Sequence, residues 1–253
     1  MTRLLALASV TLREALRQKL AVNLLLFALL VMSGAILISE LTFGEQYRII
    51  ADLTLTSAQL FGTLIAVFLG AATVAGDVRT RVLYPILAKP VGRWQYLLGR
   101  YAGLVATLWL NLAVMALTTV TVLAVYGGGL SQVPSAQLAA AFAGLAAQLA
   151  VVGAVATLFS SFTNTTLASI FTLSIVVAGH FVRELLVFWR GAAPLKAVGL
   201  LLPNLAALDL KVALVYRQPV PAGLLGLALL HALLYTAVML SLAAAVFGRR
   251  DLR

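Results

Sequence analysis

The sequence has no cysteine and few charged residues. Without cysteine, the 253-residue chain can form no disulfide, no thiolate metal site and no cysteine nucleophile. Charged residues make up 10% of the chain, whereas ordinary soluble domains carry roughly 25%. Because so little charge cannot solvate the surface of a water-soluble fold, the composition argues against an ordinary soluble domain.

The usual signatures of catalysis are also absent. The sequence contains no Gly-x-Ser-x-Gly elbow, no His-Glu-x-x-His zinc pair and no Gly-x-x-x-x-Gly-Lys-Ser/Thr phosphate loop. We therefore predict that the chain is not an enzyme, cannot hydrolyse ATP by the usual apparatus, and holds no cofactor or metal of its own. The alternative is an intramembrane enzyme, and the only candidate catalytic residues for it are Ser160, His180 and His231.

Hydrophobic residues, in contrast, make up 62% of the chain. They fall into stretches of about 20 or more residues, the length that crosses a hydrocarbon core of about 30 Å at about 1.5 Å per residue. The pattern predicts an all-α membrane protein, a single transmembrane domain over residues 1–253 with six transmembrane helices. The predicted spans are 20–39, 53–76, 101–126, 136–159, 167–187 and 222–247.

Two further segments are predicted to lie outside these spans. Residues 1–19 alternate at helical period between an apolar arc and a polar arc that carries Arg13 and Arg17, which predicts an amphipathic helix along the membrane surface. Residues 188–221 are too polar for a further span and are broken by Pro203. They therefore hold either two half-length helices or a re-entrant segment.

The basic residues predict the orientation of the spans. The net charge is +10, and twelve of the 18 Lys and Arg residues fall in 1–19, in the loop 77–100 and in the tail 248–253. Lys and Arg are retained on the cytoplasmic face of a membrane. Both termini are therefore predicted to be cytoplasmic, in a multi-pass protein of a bacterial inner membrane. Clusters of this kind set topology, so we expect no nucleic-acid partner.

The loop 77–100 mixes charged residues with apolar and aromatic ones. Leu83, Tyr84, Leu87 and Trp94 would be exposed to water there, and a partner protein that covers them would explain the mixture. Two simpler interpretations stay open: the basic residues only fix topology, and Trp94 and Tyr96 only anchor the next span at the membrane interface.

A family resemblance rests mainly on the same loop. The residues that carry it are Asp77, Arg79, Arg81, Tyr84, Leu87, Lys89, Pro90, Arg93, Gly99 and Arg100. Residues 44–52, 202–204 and 247–252 add to it. In these residues and in its whole length, the chain resembles type-2 ATP-binding-cassette permeases, most closely the branch that contains the maturation permease of the copper enzyme nitrous oxide reductase.

The resemblance implies a function and a set of partners. The chain would be the membrane-spanning subunit of an exporter that works as two permeases, either a homodimer of this chain or this chain with a different permease, together with two cytoplasmic ATPase subunits that bind ATP and Mg. The loop 77–100 would form a coupling helix on the ATPase, and 188–221 would form short re-entrant helices on the outer side. The implied ATPase contacts are Asp77, Arg79, Arg81, Leu83, Tyr84 and Leu87, with Arg13 and Arg17 in the N-terminal helix.

The cargo and its pathway are not identified by the sequence. The spans are lined with Leu, Ala, Val and Thr, which suit a lipid, a drug or a sulfur species alike. A second role therefore stays open, in which ATP-driven motion acts mechanically on a periplasmic partner and no small molecule is transported. Membrane lipid is the remaining expected contact.

Overall fold

A computed structural model describes residues 46–80, 92–126, 133–188 and 202–249, together with Gly129 and part of the segment 26–37. Helices joined by short turns account for this part of the chain, in which no strand occurs. The predicted surface helix 1–19, most of the predicted span 20–39 and the tail 250–253 lie outside the described residues. The helices are α1 Gln46–Arg79, α2 Arg93–Tyr126, α3 Ser135–Phe162, α4 Thr165–His180, α5 Val182–Phe188, α6 Lys211–Val215 and α7 Ala222–Arg249, with a 3₁₀ turn at Leu205–Leu208.

Four helices of the described residues are long and apolar enough to cross a membrane. They are Tyr47–Arg79, Arg93–Tyr126, Ser135–Phe162 and Ala222–Arg249. Each contains one of the predicted spans, so the all-helical class and the membrane-spanning character follow from composition and length together. Among the described residues four helices meet this length and hydropathy, and the full number of six spans stays a prediction.

The helices extend beyond the apolar stretches that predicted them. The span predicted at 53–76 lies within the 34 residues of α1, and the span predicted at 101–126 lies within the 34 residues of α2. Helices of this length rise about 50 Å, well beyond a hydrocarbon core of about 30 Å. The reason is that hydropathy marks only the apolar part of a helix, whereas a helix ends where its backbone is capped. At the start of α2, for example, the Gln95 side chain accepts a hydrogen bond from the Gly92 N–H at 3.4 Å.

The span predicted at 167–187 is two helices. The first, α4, has 16 residues and rises about 24 Å, less than a full crossing. It ends at His180, where the Phe181 N–H turns back to the Ala178 carbonyl at 3.1 Å, and the short helix α5 follows. A continuous helix over 167–187 was the wrong expectation, because hydropathy does not register this local tightening of the backbone.

The central helix of the bundle is α3. It packs against α1, α2, α4, α6 and α7, and 61% of its most apolar stretch is buried. In α7 only 17% of the corresponding stretch is buried, although the two helices have the same mean hydropathy of 2.0. A helix that is apolar on all sides needs either protein or lipid around it. In the described bundle, neighbouring helices surround α3, whereas most of the surface of α7 is exposed and can contact lipid or another chain.

The segment 202–221 packs into the end of the bundle where α1 and α7 begin. Leu205, Leu208 and Leu214 are buried, and the backbone of the segment runs close to two glycines. A Cβ on Gly179 would lie 2.7 Å from the Pro203 carbonyl oxygen, and a Cβ on Gly144 would overlap the Leu208 carbonyl oxygen. These glycines let non-helical backbone approach α3 and α4. Residues 189–201, the rest of the predicted re-entrant region, lie outside the described residues.

Candidate functional site

Asp77 lies in the last turns of α1, where the sequence analysis placed the start of a loop. The helix continues to Arg79, and the Thr80 N–H and hydroxyl both donate to the Gly76 carbonyl at 2.9 Å. Asp77 is only 5% exposed. A carboxylate so deeply buried requires partners, because an unpaired buried charge is costly.

Tyr96 and Arg100 are those partners, one helical turn apart on the same face of α2. Arg100 binds the carboxylate with two nitrogens: Nε donates to Asp77 Oδ2 at 2.6 Å, and Nη2 donates to Oδ1. The Tyr96 hydroxyl also donates to Oδ2. Arg100 is 6% exposed and Tyr96 is fully buried. We call Asp77, Tyr96 and Arg100 the Asp77 cluster; it joins the end of α1 to the beginning of α2.

The C-terminal end of α7 is attached to the same cluster. The Tyr96 ring stacks on Phe247, with ring centroids 5.8 Å apart and an interplanar angle of 26°. Arg93 Nη1 donates to the carbonyls of Phe247 at 3.2 Å and Gly248 at 2.7 Å, in the last turn of α7. A cation placed there also interacts favourably with the helix dipole. Three helix ends are therefore fixed together on both sides of the segment 80–92.

Ser160 joins α3 to α1 at the same end of the bundle. Its Oγ donates to the Ala71 carbonyl at 2.7 Å and accepts from the N–H groups of Val74 at 3.1 Å and Ala75 at 2.9 Å. One turn earlier a Cβ on Gly70 would lie 2.6 Å from the Ala156 Cβ, so the helices are in close contact. A side chain that enters the hydrogen-bond ladder of another helix fixes their mutual position.

The structure describes two of the residues expected to contact an ATPase. Asp77 is buried in the cluster, and Arg79 is exposed at the end of α1. Trp94, in the first turn of α2, is 46% exposed. The other expected contacts lie outside the described residues: Arg81, Leu83, Tyr84, Leu87, Arg13 and Arg17. The roles of all of these residues toward an ATPase stay predictions.

A second polar cluster lies deeper in the bundle and consists of Gln59, Gln148 and His180. The His180 Nδ1–H donates to the Val176 carbonyl at 2.8 Å, which leaves the Nε2 lone pair as an acceptor. The side-chain amides of Gln59 and Gln148 both donate to Nε2, at 3.2 Å and 3.3 Å, and Gln59 also donates to Gln148 Oε1 at 3.2 Å. This glutamine–histidine cluster joins α1, α3 and α4. The sequence analysis considered only His180 and did not anticipate the two glutamines.

The three residues that could have served an intramembrane enzyme do not lie together in one site. Ser160 Oγ bonds to the backbone of α1, and His180 lies at the far end of α4, about 22 Å of helix rise from the start of that helix beside Ser160. His231 is exposed on α7, with its ring centroid 6.2 Å from that of Tyr235. Among the described residues, no group of three His, Asp or Glu side chains is placed to hold a metal ion.

Comparison with known proteins does not place the chain in a family. A scan of the chain against protein-family models finds no match, and a search of curated proteins finds no significant relative. Inferences about function therefore rest on the residues and their geometry.

Proposed function

We propose that this chain is the membrane-spanning permease subunit of an ATP-binding-cassette exporter, with ATP hydrolysis supplied by a separate cytoplasmic ATPase. Two copies of the chain and two ATPase subunits form the working unit. The termini and the segment 80–92 face the cytoplasm of a bacterial cell, and the segment 202–221 faces the opposite side.

The observation that carries the proposal is the Asp77 cluster. A loop that receives force from a partner has to be fixed at its base, because a loosely held base would absorb the motion. Here the helices on either side of the segment 80–92 are joined by the buried bidentate ion pair between Arg100 and Asp77. The helix α7 is joined to them through Phe247. Ser160 extends the connection to α3. A displacement of the loop would therefore move four helix ends together.

The cluster also assigns different roles to residues that the sequence grouped together. Asp77 is a positioning residue, because its carboxylate is occupied by Tyr96 and Arg100 and is closed to a partner. Arg79 and Trp94 are exposed beside the loop and belong to the docking surface, together with the expected contacts Arg81 and Tyr84.

Transport then follows from a two-state bundle. Closure of the ATPase dimer on ATP displaces the segment 80–92, and the attached ends of α1, α2, α3 and α7 shift between two packings. The ATPase can drive this change only through contacts that differ between its two states. The uncharged interior of the bundle, in which α3 and α4 carry no Asp, Glu, Lys or Arg, repacks without breaking ion pairs.

Site-specific cross-linking tests the proposal, because the chain contains no cysteine and any introduced one is unique. We expect Tyr84→Cys, treated in native membranes with a short thiol-to-amine cross-linker, to become joined to a soluble protein with ATPase motifs, identified by mass spectrometry. Gln218→Cys is the matched control, since Gln218 is exposed in the turn after α6 at the other end of the bundle.

The same two variants test the orientation. A membrane-impermeant maleimide should label Gln218→Cys in intact cells or spheroplasts and label Tyr84→Cys only after permeabilisation. Cross-linking of an ATPase to position 218 alone, or labelling of position 84 from outside, would contradict the proposed function.

A further inference from the structure

A groove opens between α7 and the segment that precedes α6. Its volume is about 530 Å³, within the range of about 300–1,000 Å³ that is usual for small-molecule sites. Leu224, Leu227 and His231 lie on one face of α7 at helical spacing and line one wall. Asn204, Asp209 and the 3₁₀ turn line the other wall.

The inner end of the groove, at His231, lies within the membrane-spanning length of α7. His231 is the tenth of the 28 residues of this helix, so it lies about 14 Å from one end and about 27 Å from the other. A hydrocarbon core of about 30 Å centred on the helix therefore includes His231. Polar atoms that face hydrocarbon at this depth are costly unless a polar group covers them, so lipid tails alone are a poor filling for this groove.

The charged group of the groove is Asp209. Its Oδ1 accepts from the Lys211 N–H at 3.2 Å, and its Oδ2 lies 3.6 Å from Lys211 Nζ. Lys211 also reaches Thr56 of α1, at 3.5 Å, so its cation lies toward α1 and is not part of the groove lining. The carboxylate keeps capacity for further donors, because its two oxygens together offer about four acceptor positions. Asp209 and His231 therefore line the groove beside leucine side chains.

We propose that this groove binds an amphiphile with a protonated amino head group, taken from the bilayer. The ammonium group donates to Asp209, beside Asn204 and His231, and the acyl chain leaves the groove past Leu227 into the surrounding bilayer. Binding itself requires no ATPase; that the bound amphiphile is the transported cargo rests on the proposed function.

Photo-cross-linking in nanodiscs tests the binding with the purified full chain and no ATPase. The probe is phosphatidylethanolamine with a photoactivatable acyl chain, and phosphatidylcholine and phosphatidylglycerol with the same chain are compared with it. We expect adducts of the phosphatidylethanolamine probe on the groove segments 204–210 and 224–231. They should exceed those of the other two lipids several-fold, because only this head group combines a positive charge with N–H donors.

Three variants of the full chain make the result specific. Asp209→Asn keeps an oxygen for the Lys211 N–H but removes the charge, and should reduce the groove adducts several-fold. Leu227→Trp should reduce them by filling the groove. Leu230→Trp is the control, because Leu230 is exposed on the same helix but does not line the groove, and should leave the adducts unchanged.

Three outcomes would overturn the inference: equal adducts from all three lipids, adducts that Asp209→Asn leaves unchanged, or adducts distributed along α7 without preference for the groove. Disulfide formation between two copies of Leu227→Cys in the native membrane would also overturn it, because the groove would then be covered by a second copy. A positive result obtained while no ATPase associates with the chain would leave the site standing and the exporter proposal refuted.

Discussion

Two polar clusters lie at different levels of the described bundle, and they differ in charge and in the helices they connect. The Asp77 cluster is an ion pair with a tyrosine at the ends of α1 and α2. The glutamine–histidine cluster is uncharged and joins the middle of α1 and α3 to the end of α4. Gln59 and Asp77 are 18 residues apart on α1, so the levels are separated by about 27 Å.

The difference indicates which part of the molecule is built to stay fixed. Removal of one partner from a buried ion pair leaves an uncompensated charge and costs about 3–5 kcal/mol. A hydrogen bond between transmembrane helices contributes on average about 0.6 kcal/mol. We therefore expect the end of the bundle at Asp77 to move as a unit, and the level of His180 to exchange partners more readily.

The strongest test of this contrast is Asp77→Ala. It leaves Arg100 buried without its carboxylate, so we expect the free energy of unfolding to fall by about 3–5 kcal/mol. Thermal unfolding in detergent measures the loss. Arg79→Ala is the matched control two residues away, and as an exposed substitution it should change stability by less than about 0.5 kcal/mol.

A double variant shows whether the charge itself is responsible. Asp77→Leu combined with Arg100→Met removes both charges, and it should destabilise the chain less than Asp77→Ala alone. Equal losses in the single and double variants would mean that packing, and not the ion pair, holds this end together.

Gly179→Ala tests the packing of backbone near the glutamine–histidine cluster, because Gly179 precedes His180 in α4. The new Cβ would lie 2.7 Å from the Pro203 carbonyl oxygen and 3.0 Å from Leu205 Cγ, and overpacking of this kind costs about 1–3 kcal/mol. Gly226→Ala is the control, since nothing lies within 4 Å of its Cβ position. Alanine is the better helix former, so this control should gain up to about 1 kcal/mol. A neutral Gly179→Ala would show that the segment 202–221 is not packed as described.

Ser160→Ala separates hydrogen bonding from charge at the Asp77 end. The hydroxyl bonds to three backbone groups of α1, and its loss should cost about 1 kcal/mol, the usual net contribution of a hydrogen bond. Ser241→Ala removes an exposed hydroxyl that bonds only within α7, at 2.8 Å, and should cost less than about 0.5 kcal/mol. Equal unfolding temperatures for the two variants would contradict the α1–α3 connection.

The smallest effect is expected from Gln148→Leu. The variant removes the hydrogen bonds to Gln59 and His180, for which we expect about 0.6 kcal/mol. A double-mutant cycle with His180→Leu isolates the pairwise contribution. If Gln148→Leu destabilises the chain as much as Asp77→Ala, the two clusters do not differ in the way proposed here.

The sequence predicted the helices better than their ends. The apolar stretches at 53–76, 101–126, 136–159 and 222–247 each lie within a long helix, because transmembrane length and hydropathy are local properties. The break after His180 was missed, since it lies in the local backbone hydrogen bonding, where the Phe181 N–H donates to the Ala178 carbonyl, and hydropathy does not report on that.

The candidate site was predictable only in part, for a similar reason. Asp77 and Arg100 stand at the two ends of one loop, and opposite charges at adjoining helix ends are a signal that could have suggested their pairing. Gln59, Gln148 and His180 are separated by up to 121 residues, and an uncharged side chain in an apolar helix gives no indication of its partner. Only the packing of α1, α3 and α4 brings these three residues together.

The most direct test of the proposed function is affinity purification of the chain from its native membrane in mild detergent, with mass spectrometry and an ATPase assay. We expect a protein with ATPase motifs in roughly equal amount, released by Tyr84→Ala in the predicted coupling loop and retained by Gln148→Leu in the interior. Recovery of the chain without any ATPase would contradict the proposal that it is the membrane subunit of an ATP-driven exporter.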